Sequence, residues 1–377
     1  MKKHYILIIV IFTINIANAQ WTNKTMIYGS LTRSYRVYQS PNYNASVPAS
    51  LLIALHGLGD NMTNFSTIGF NYIADTANII CVFPQAVSDP YAGTAWNSGA
   101  GYSGYYPNTT VDDIGFINAI IIESVTSYSI DNSRVYLCGF SMGGFMTEKM
   151  ALQSNSKIAA FASMSGTIGS NITTYNPGRH LPIAHFHGTS DSTVYYSGNL
   201  YGIDADSLLH FWINNNACDT TPTTYTYPNY VNDNITIERF QYSNGNPQSD
   251  VWFYKMYGAG HSILSRPSND INEVLEVWLF FRRYTNTNTV IYNQNELNRN
   301  IQIYPNPASD KLCINLQPTN ELNNTTISIF NIQGQLLLNE TVNTKKTEID
   351  ISQFARGIYV LKISNNNTLY FSKFIKE

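Results

Sequence analysis

The chain has 377 residues, 44% of them hydrophobic and 13% aromatic, enough to bury a sizeable core and to exclude wholesale disorder. Only 12% are charged, about half the globular average, so the polar surface falls to Asn, Ser, Thr and the 27 Tyr. The net charge of −3 gives no basic footprint, and nucleic acid is not an expected partner.

The first 19 residues read as a signal peptide. Lys2 and Lys3 form the charged region, Tyr5 to Ile14 the apolar stretch, and Ala17-Asn18-Ala19 the small-residue cleavage site. That stretch is too short for a permanent span, and no later segment has about 18 consecutive apolar residues. The expectation is a chain exported through the periplasm to the medium or cell surface, with no permanent membrane span.

Residues 20–284 read as one domain, in which short apolar runs alternate with helix candidates from about residue 48. The runs are Leu51 to Leu55, Ile79 to Phe83, Val135 to Cys138, Pro182 to Phe186 and Val251 to Met256. Runs without polar alternation predict strands buried on both faces of a mainly parallel sheet. The helices are expected over Asp113 to Tyr128, Gly144 to Gln153, Asp204 to Asn214 and Asp270 to Arg283. This is an α/β pattern.

Residues 285–299, rich in Asn and Thr, read as a linker. Residues 300–377 have strand texture only, with alternating runs at Lys311 to Leu316, Thr326 to Phe330, Gln335 to Leu338, Gly357 to Ile363 and Thr368 to Phe374. These predict a small β-sandwich. The four cysteines, Cys81, Cys138, Cys218 and Cys313, are widely spaced without a CxxC pair, which argues against zinc. Cys81 and Cys138 lie in apolar runs and read as buried free thiols.

The strongest local motif is Gly139-Phe140-Ser141-Met142-Gly143-Gly144, between a predicted strand and a predicted helix. That context makes Ser141 a nucleophile on a strand-to-helix turn, with small residues at 139 and 143 allowing close approach. A serine needs a base. Of the seven histidines, His261 follows a late strand in the loop Tyr257-Gly-Ala-Gly260, where an imidazole can reach the catalytic edge of the sheet. His4 falls in the leader, and His56 suits another role. His185 and His210 read as packed residues, while His180 and His187 lie before or beside the acid. Asp191 follows directly from a buried strand and keeps the order serine, acid, histidine. Glu148 lies on the wrong side of its helix; Asp112 and Asp113 precede the serine and suit a helix start. An oxyanion hole is expected from the N–H groups of Leu58 and Met142. Trp96, Tyr102, Tyr105 and Tyr106, in the Gly/Tyr-rich loop Tyr91 to Pro107, are candidate substrate contacts. So is Ile263, two residues past the base. No metal or organic cofactor is called for.

Over roughly residues 30 to 285 the chain resembles secreted α/β-hydrolases of the polyhydroxybutyrate depolymerase and feruloyl or acetylxylan esterase family. The likeness rests on Leu55-His-Gly57, Val82-Phe-Pro-Gln85, Ala95-Trp-Asn97, Val111 to Phe116, Gly139 to Gly144, His187 to Val194, Trp212 to Cys218 and Gly258 to His261. It implies an α/β-hydrolase fold and a serine esterase with Ser141, Asp191 and His261 as its triad, acting on polysaccharide-linked, polyester or small acyl esters. Leu58 replaces the family's frequent Cys, Ser262-Ile263 its Trp-Pro, and Val194-Tyr195-Tyr196 its Val-Pro-Tyr, which bears on substrate choice. Residues Ile303 to Pro307, Ile327 to Asn331, Gly334, Gly357 to Val360 and Lys373 to Lys376 resemble a type IX secretion sorting domain of the Bacteroidetes. That implies the type IX machinery as a partner. A serine peptidase is the rival enzyme, though the chain has no room for a large gating domain. A catalytically inactive surface-binding protein is the rival of another class.

Overall fold

The computed structural model describes residues 20–246, 249–286, 301–316, 325–331, 336–364 and 369–377. The expected leader and residues 287–299 of the expected linker lie outside them. The chain divides into two compact units, Met1–Thr289 and Val290–Glu377.

The first unit opens with β1 (Gln20–Tyr28), β2 (Leu31–Gln39), β3 (Ala49–Leu55), α1 (Met62–Phe65) and α2 (Phe70–Ala74). Next come β4 (Ile79–Pro84), the small hairpin β5 (Val87–Asp89) and β6 (Gly93–Ala95), α3 (Asp113–Ser127), β7 (Ile130–Phe140) and α4 (Met142–Gln153). It ends with β8 (Ala160–Met164), β9 (Ile183–Gly188), α5 (Ala205–Asn216), β10 (Thr223–Thr226), β11 (Thr236–Tyr242), β12 (Val251–Tyr257) and α6 (Glu273–Phe281). Among the described residues the main sheet has the order β1-β2-β4-β3-β7-β8-β9-β12-β11-β10. Its centre, β4 to β12, is parallel, and both edges are antiparallel. This is the mainly parallel sheet that the apolar runs predict.

Every residue of β3 and β4 is buried, because helices cover both faces. Alternate side chains feed two separate cores. Leu51, Ile53, Leu55 and Leu137 join Phe116 and Ile120 of α3, Met146 and Met150 of α4, and Trp212 of α5. Leu52, Ala54, Tyr136 and Cys138 join Phe70 of α2 and Val274, Val277 and Phe281 of α6. Helix α3 starts where Asp112 accepts the Gly115 N–H at 2.8 Å. Asp113 behind it pairs with Arg33 at 2.7 Å, both side chains almost wholly buried.

Three features depart from expectation. The β1–β2 hairpin, β8 and the β10–β11 edge are additional strands. Helix α6 starts at Glu273, not Asp270, whose carboxylate instead takes the N–H groups of Tyr230 and Val231. Asn286, expected in the linker, is buried in the first unit, bonded to the carbonyls of Ser133 and Ser156. Among the described residues no helix is long and apolar enough to cross a membrane. Cys81, Cys138 and Cys218 are buried free thiols, and Cys313 is a partly exposed one.

The second unit has β13 (Ile301–Tyr304), β14 (Lys311–Leu316), β15 (Thr325–Asn331), β16 (Leu336–Val342), β17 (Lys346–Asp350), β18 (Gly357–Ser364) and β19 (Leu369–Lys376). They form antiparallel sheets of order β13-β14-β17 and β16-β15-β18-β19. Leu312, Ile314 and Ile349 of one sheet pack with Ile327, Ile329, Leu361 and Phe374 of the other. The result is a small sandwich.

Candidate active site

Strand β7 ends at Phe140 and α4 begins at Met142, so Ser141 alone makes the turn. It does so at φ 55° and ψ −121°, a region that costs a residue with a β-carbon. The turn is tight enough to demand glycine on both sides. A β-carbon on Gly139 would lie 2.2 Å from Gly143 O, and one on Gly143 would lie 2.1 Å from Leu55 O. The hydroxyl is thereby held at the carboxyl edge of the parallel strands, where α/β sheets place their chemistry.

The imidazole of His261, in the loop after β12, lies between two oxygens. Its Nε2 is 2.9 Å from Ser141 Oγ, and its Nδ1 is 2.7 Å from Asp191 Oδ2. Asp191 follows β9 and is 5% exposed. Its Oδ1 accepts the N–H groups of Thr193 and Val194, each at 2.9 Å. A carboxylate only accepts, so Nδ1 carries the proton and Nε2 is left to accept from the serine hydroxyl. The ring also lies against Phe140, centroids 4.9 Å apart. Acid and base loops are joined directly: Ser190 N–H donates to Ala259 O, and Gly258 N–H to Thr189 Oγ1, both at 3.0 Å.

The loop His56-Gly57-Leu58-Gly59 flanks the serine; a β-carbon on Gly57 would stand 3.3 Å from Ser141 Cβ. Met142 is the first residue of α4, so its N–H has no intrahelical acceptor. The Leu58 N–H makes no hydrogen bond among the described residues. Free N–H groups beside a nucleophile are the donors an oxyanion requires.

Side chains hold this loop in place. His56 is buried; its Nδ1 lies 2.7 Å from Gly57 O, and its Nε2 accepts the Ala86 N–H at 3.1 Å. Burial lowers its pKa, keeping the ring neutral in this strut. Gln85 spans from His56 Nε2 to the Met62 N–H. Thr94 O accepts from Gly59 N–H at 2.8 Å.

Trp96 requires a correction. It is fully buried, its ring in the core and its Nε1 bonded to His56 O at 2.8 Å. It supports the loop from within and presents no surface to a substrate. Tyr105 is 39% exposed, its hydroxyl bonded to Asp89 and its ring 5.4 Å from that of the exposed Tyr91. Tyr102 and Tyr106 are partly buried, and Tyr102 exchanges backbone hydrogen bonds with Tyr105. Ile263 is partly buried, packed on the core that α6 covers.

The remaining candidates are occupied elsewhere. His210 is exposed on α5, not packed as expected. His180 is also exposed, next to Asn215 O. His185 and His187 are buried with their rings in contact, and His187 Nε2 donates to Val194 O at 2.8 Å. His185 is not fully satisfied, because its Nδ1 has no partner. Glu148 is buried against Trp212 Nε1 at 2.9 Å. Sequence reasoning missed the supporting roles of Trp96 and Gln85. Both lie in motifs that carry the family likeness, Ala95-Trp-Asn97 and Val82-Phe-Pro-Gln85, but nothing local in them marks a side chain that braces the loop from within.

A serine on a strained strand-to-helix turn, an imidazole bridging it to a buried acid, and a doubly wound sheet beneath define the α/β-hydrolase class. Residues 42–222 match the family described as phospholipase/carboxylesterase. An acyl-protein thioesterase 1 homolog from Dictyostelium discoideum is 31% identical over 167 residues, covering 40% of this chain and 73% of that protein. The chain belongs to this phospholipase/carboxylesterase family. It is also 31% identical over 253 residues to a bifunctional acetylxylan esterase/xylanase of Neocallimastix patriciarum, covering 65% of this chain and 33% of that protein. A feruloyl esterase B of Piromyces equi is 31% identical over 159 residues, 39% of this chain and 28% of that protein. The chain thus spans only about a third of the length of these two relatives. Residues 302–377 match the secretion system C-terminal sorting domain.

Proposed function

We propose that the first unit is a serine carboxylic ester hydrolase. Ser141 Oγ attacks the ester carbonyl while its proton passes to His261 Nε2. Asp191 holds the imidazole in the required tautomer and stabilises it once protonated. The N–H groups of Leu58 and Met142 stabilise the oxyanion. His261 then protonates the departing alcohol, leaving an acyl group on Ser141. Water, deprotonated by the same imidazole, releases the acid and restores the serine. The observation that carries this reading is the pair of contacts on His261, 2.9 Å to Ser141 and 2.7 Å to Asp191.

The substrate class we infer is an acyl ester on a polysaccharide, acetyl or feruloyl. Kinship with acetylxylan and feruloyl esterases supports it. We infer export through the type IX machinery, with the second unit as its sorting signal and the outer surface or medium as destination.

A hydrolysis panel of acetylated xylan, methyl ferulate, short-chain nitrophenyl esters and polyhydroxybutyrate tests the reading. Ser141→Ala should abolish every activity found, and a serine-reactive phosphonate should label wild-type Ser141 alone. Label on another residue, or full turnover in the variant, rejects the mechanism. Polyhydroxybutyrate as the sole good substrate rejects the polysaccharide assignment.

A further inference from the structure

Glu273 opens α6, a position where an acid ordinarily stands in solvent and complements the helix dipole. Here it is 1% exposed. Its Oε1 accepts the Leu264 N–H at 2.6 Å, and its own N–H donates to Leu264 O at 3.1 Å. Both backbone polar groups of Leu264, three residues beyond His261, therefore end on one residue of α6.

This acid has no counter-charge among the described residues. The charged side chains of the same loop and helix are engaged elsewhere. Arg266 donates to Asp270 O, Asp270 takes the N–H groups of Tyr230 and Val231, and Glu276 accepts from Tyr254 and pairs with Arg239. Burial raises the Glu273 carboxyl to about 8. A buried acid without a counter-charge costs stability that an apolar side chain of similar volume would not. What the acid supplies in return is its contact with the loop carrying His261.

That loop is held at both ends. Upstream of His261, the Ser190–Ala259 and Thr189–Gly258 bonds tie it to the acid loop. Downstream, Leu264 is tied to α6. We propose that Glu273 is a positioning residue for His261, fixing the downstream end of the base-bearing loop so that the imidazole stays aligned with Ser141. This rests on the ester-hydrolase reading above.

The test uses the full chain carrying Glu273→Gln, Glu273→Met or Glu273→Ala. The Gln oxygen still accepts from Leu264, so kcat on p-nitrophenyl acetate should stay within about two-fold of wild type. Glu273→Met should lose kcat by about 10- to 100-fold through misalignment, with KM little changed; relief of the buried acid is offset by the stranded Leu264 N–H, so Tm should stay near wild type. If the Met variant is insoluble, Glu273→Ala replaces it, with kcat compared against Tm. Wild-type kcat in the Met or Ala variant overturns the proposal. So does a loss of kcat that follows a falling Tm alike in all three. The Nδ1 proton of His261, followed by NMR, reads the same alignment without turnover. It should persist in the Gln variant and broaden or vanish in the Met variant; persistence in both overturns the proposal. Phosphonate labelling of wild-type Ser141 is scored separately, since its failure removes the ester-hydrolase reading and leaves the NMR result to decide the role of Glu273.

Discussion

Trp96 donates its indole N–H to the carbonyl of His56 at 2.8 Å. A wholly buried ring thus sets the backbone of the loop on which Leu58 presents its N–H. Trp96→Phe keeps an aromatic ring but strands a buried carbonyl, which costs about 1–3 kcal/mol. Urea unfolding should show that loss, and kcat should fall with little change in KM if the loop supplies the proposed oxyanion donor, which acts only on the transition state. Wild-type kcat in a destabilised variant would confine Trp96 to the core.

Asp191→Asn keeps the shape of the acid but favours the wrong imidazole tautomer. We expect kcat to fall by about 10²–10⁴. Asp112→Asn should leave kcat near wild type, because Asp112 caps α3 and accepts from Tyr28. Equal losses in the two variants would remove Asp191 from its assigned role.

The Arg33–Asp113 pair lies at 2.7 Å with both side chains almost wholly buried. Burial pushes the Asp113 carboxyl upward, against the pull of Arg33 and the Asn97 N–H. Arg33→Met strands a buried acid and should cost about 3–5 kcal/mol in denaturant unfolding. Turnover by the folded fraction should be nearly unchanged. A change below 1 kcal/mol, on the scale of an exposed pair, would contradict the burial argument.

Glu148 is fully buried with one oxygen on Trp212 Nε1 and the other without a partner. Burial raises its pKa from 4.5 to about 8. The folded state therefore holds a proton that the unfolded state releases above about 4.5. Its contribution to stability is fully present below that value and is lost as pH rises through about 8. Glu273 acts in the same window. Glu148→Gln should flatten the decline of Tm between pH 5 and pH 9, a difference of a few kcal/mol at the alkaline end. An unchanged slope would place the titration elsewhere.

A chain ending at Thr289 should fold and turn over ester like the full-length protein. One ending at Tyr284 loses the Asn286 bonds to Ser133 and Ser156. Its Tm should fall by the equivalent of about 1–3 kcal/mol. Equal Tm values would show that these bonds do not stabilise the first unit.

The legible parts of the fold were those with an uninterrupted local signal. Leu51 to Leu55 and Ile79 to Phe83 read as buried strands because neither face can be polar. Ser141, Asp191 and His261 could be singled out because each follows a strand with a small-residue turn. The β1–β2 hairpin was not seen, because Thr, Lys, Asn and Arg interrupt it on a half-exposed edge. Strand β8, Ala-Phe-Ala-Ser-Met, is too short and small-sided to stand out. Trp96 resembled a rim aromatic because its loop is full of Gly and Tyr; only the carbonyl of His56 makes burial of its N–H tolerable. Glu273 carries no signal in the sequence, since the Leu264 contact is tertiary.

Strand β7, which ends one residue before Ser141, sends Leu137 into one core and Tyr136 and Cys138 into the other. The two cores are otherwise walled apart by the sheet. Side chains under α3, α4 and α5 can thus be exchanged without altering the packing under α6, and the reverse also holds. Only β7 and its neighbours in the sheet must satisfy both. A library that varies one face at a time would sample each core almost as a separate small protein, with retained ester turnover reporting that the shared strand still delivers Ser141 to its place.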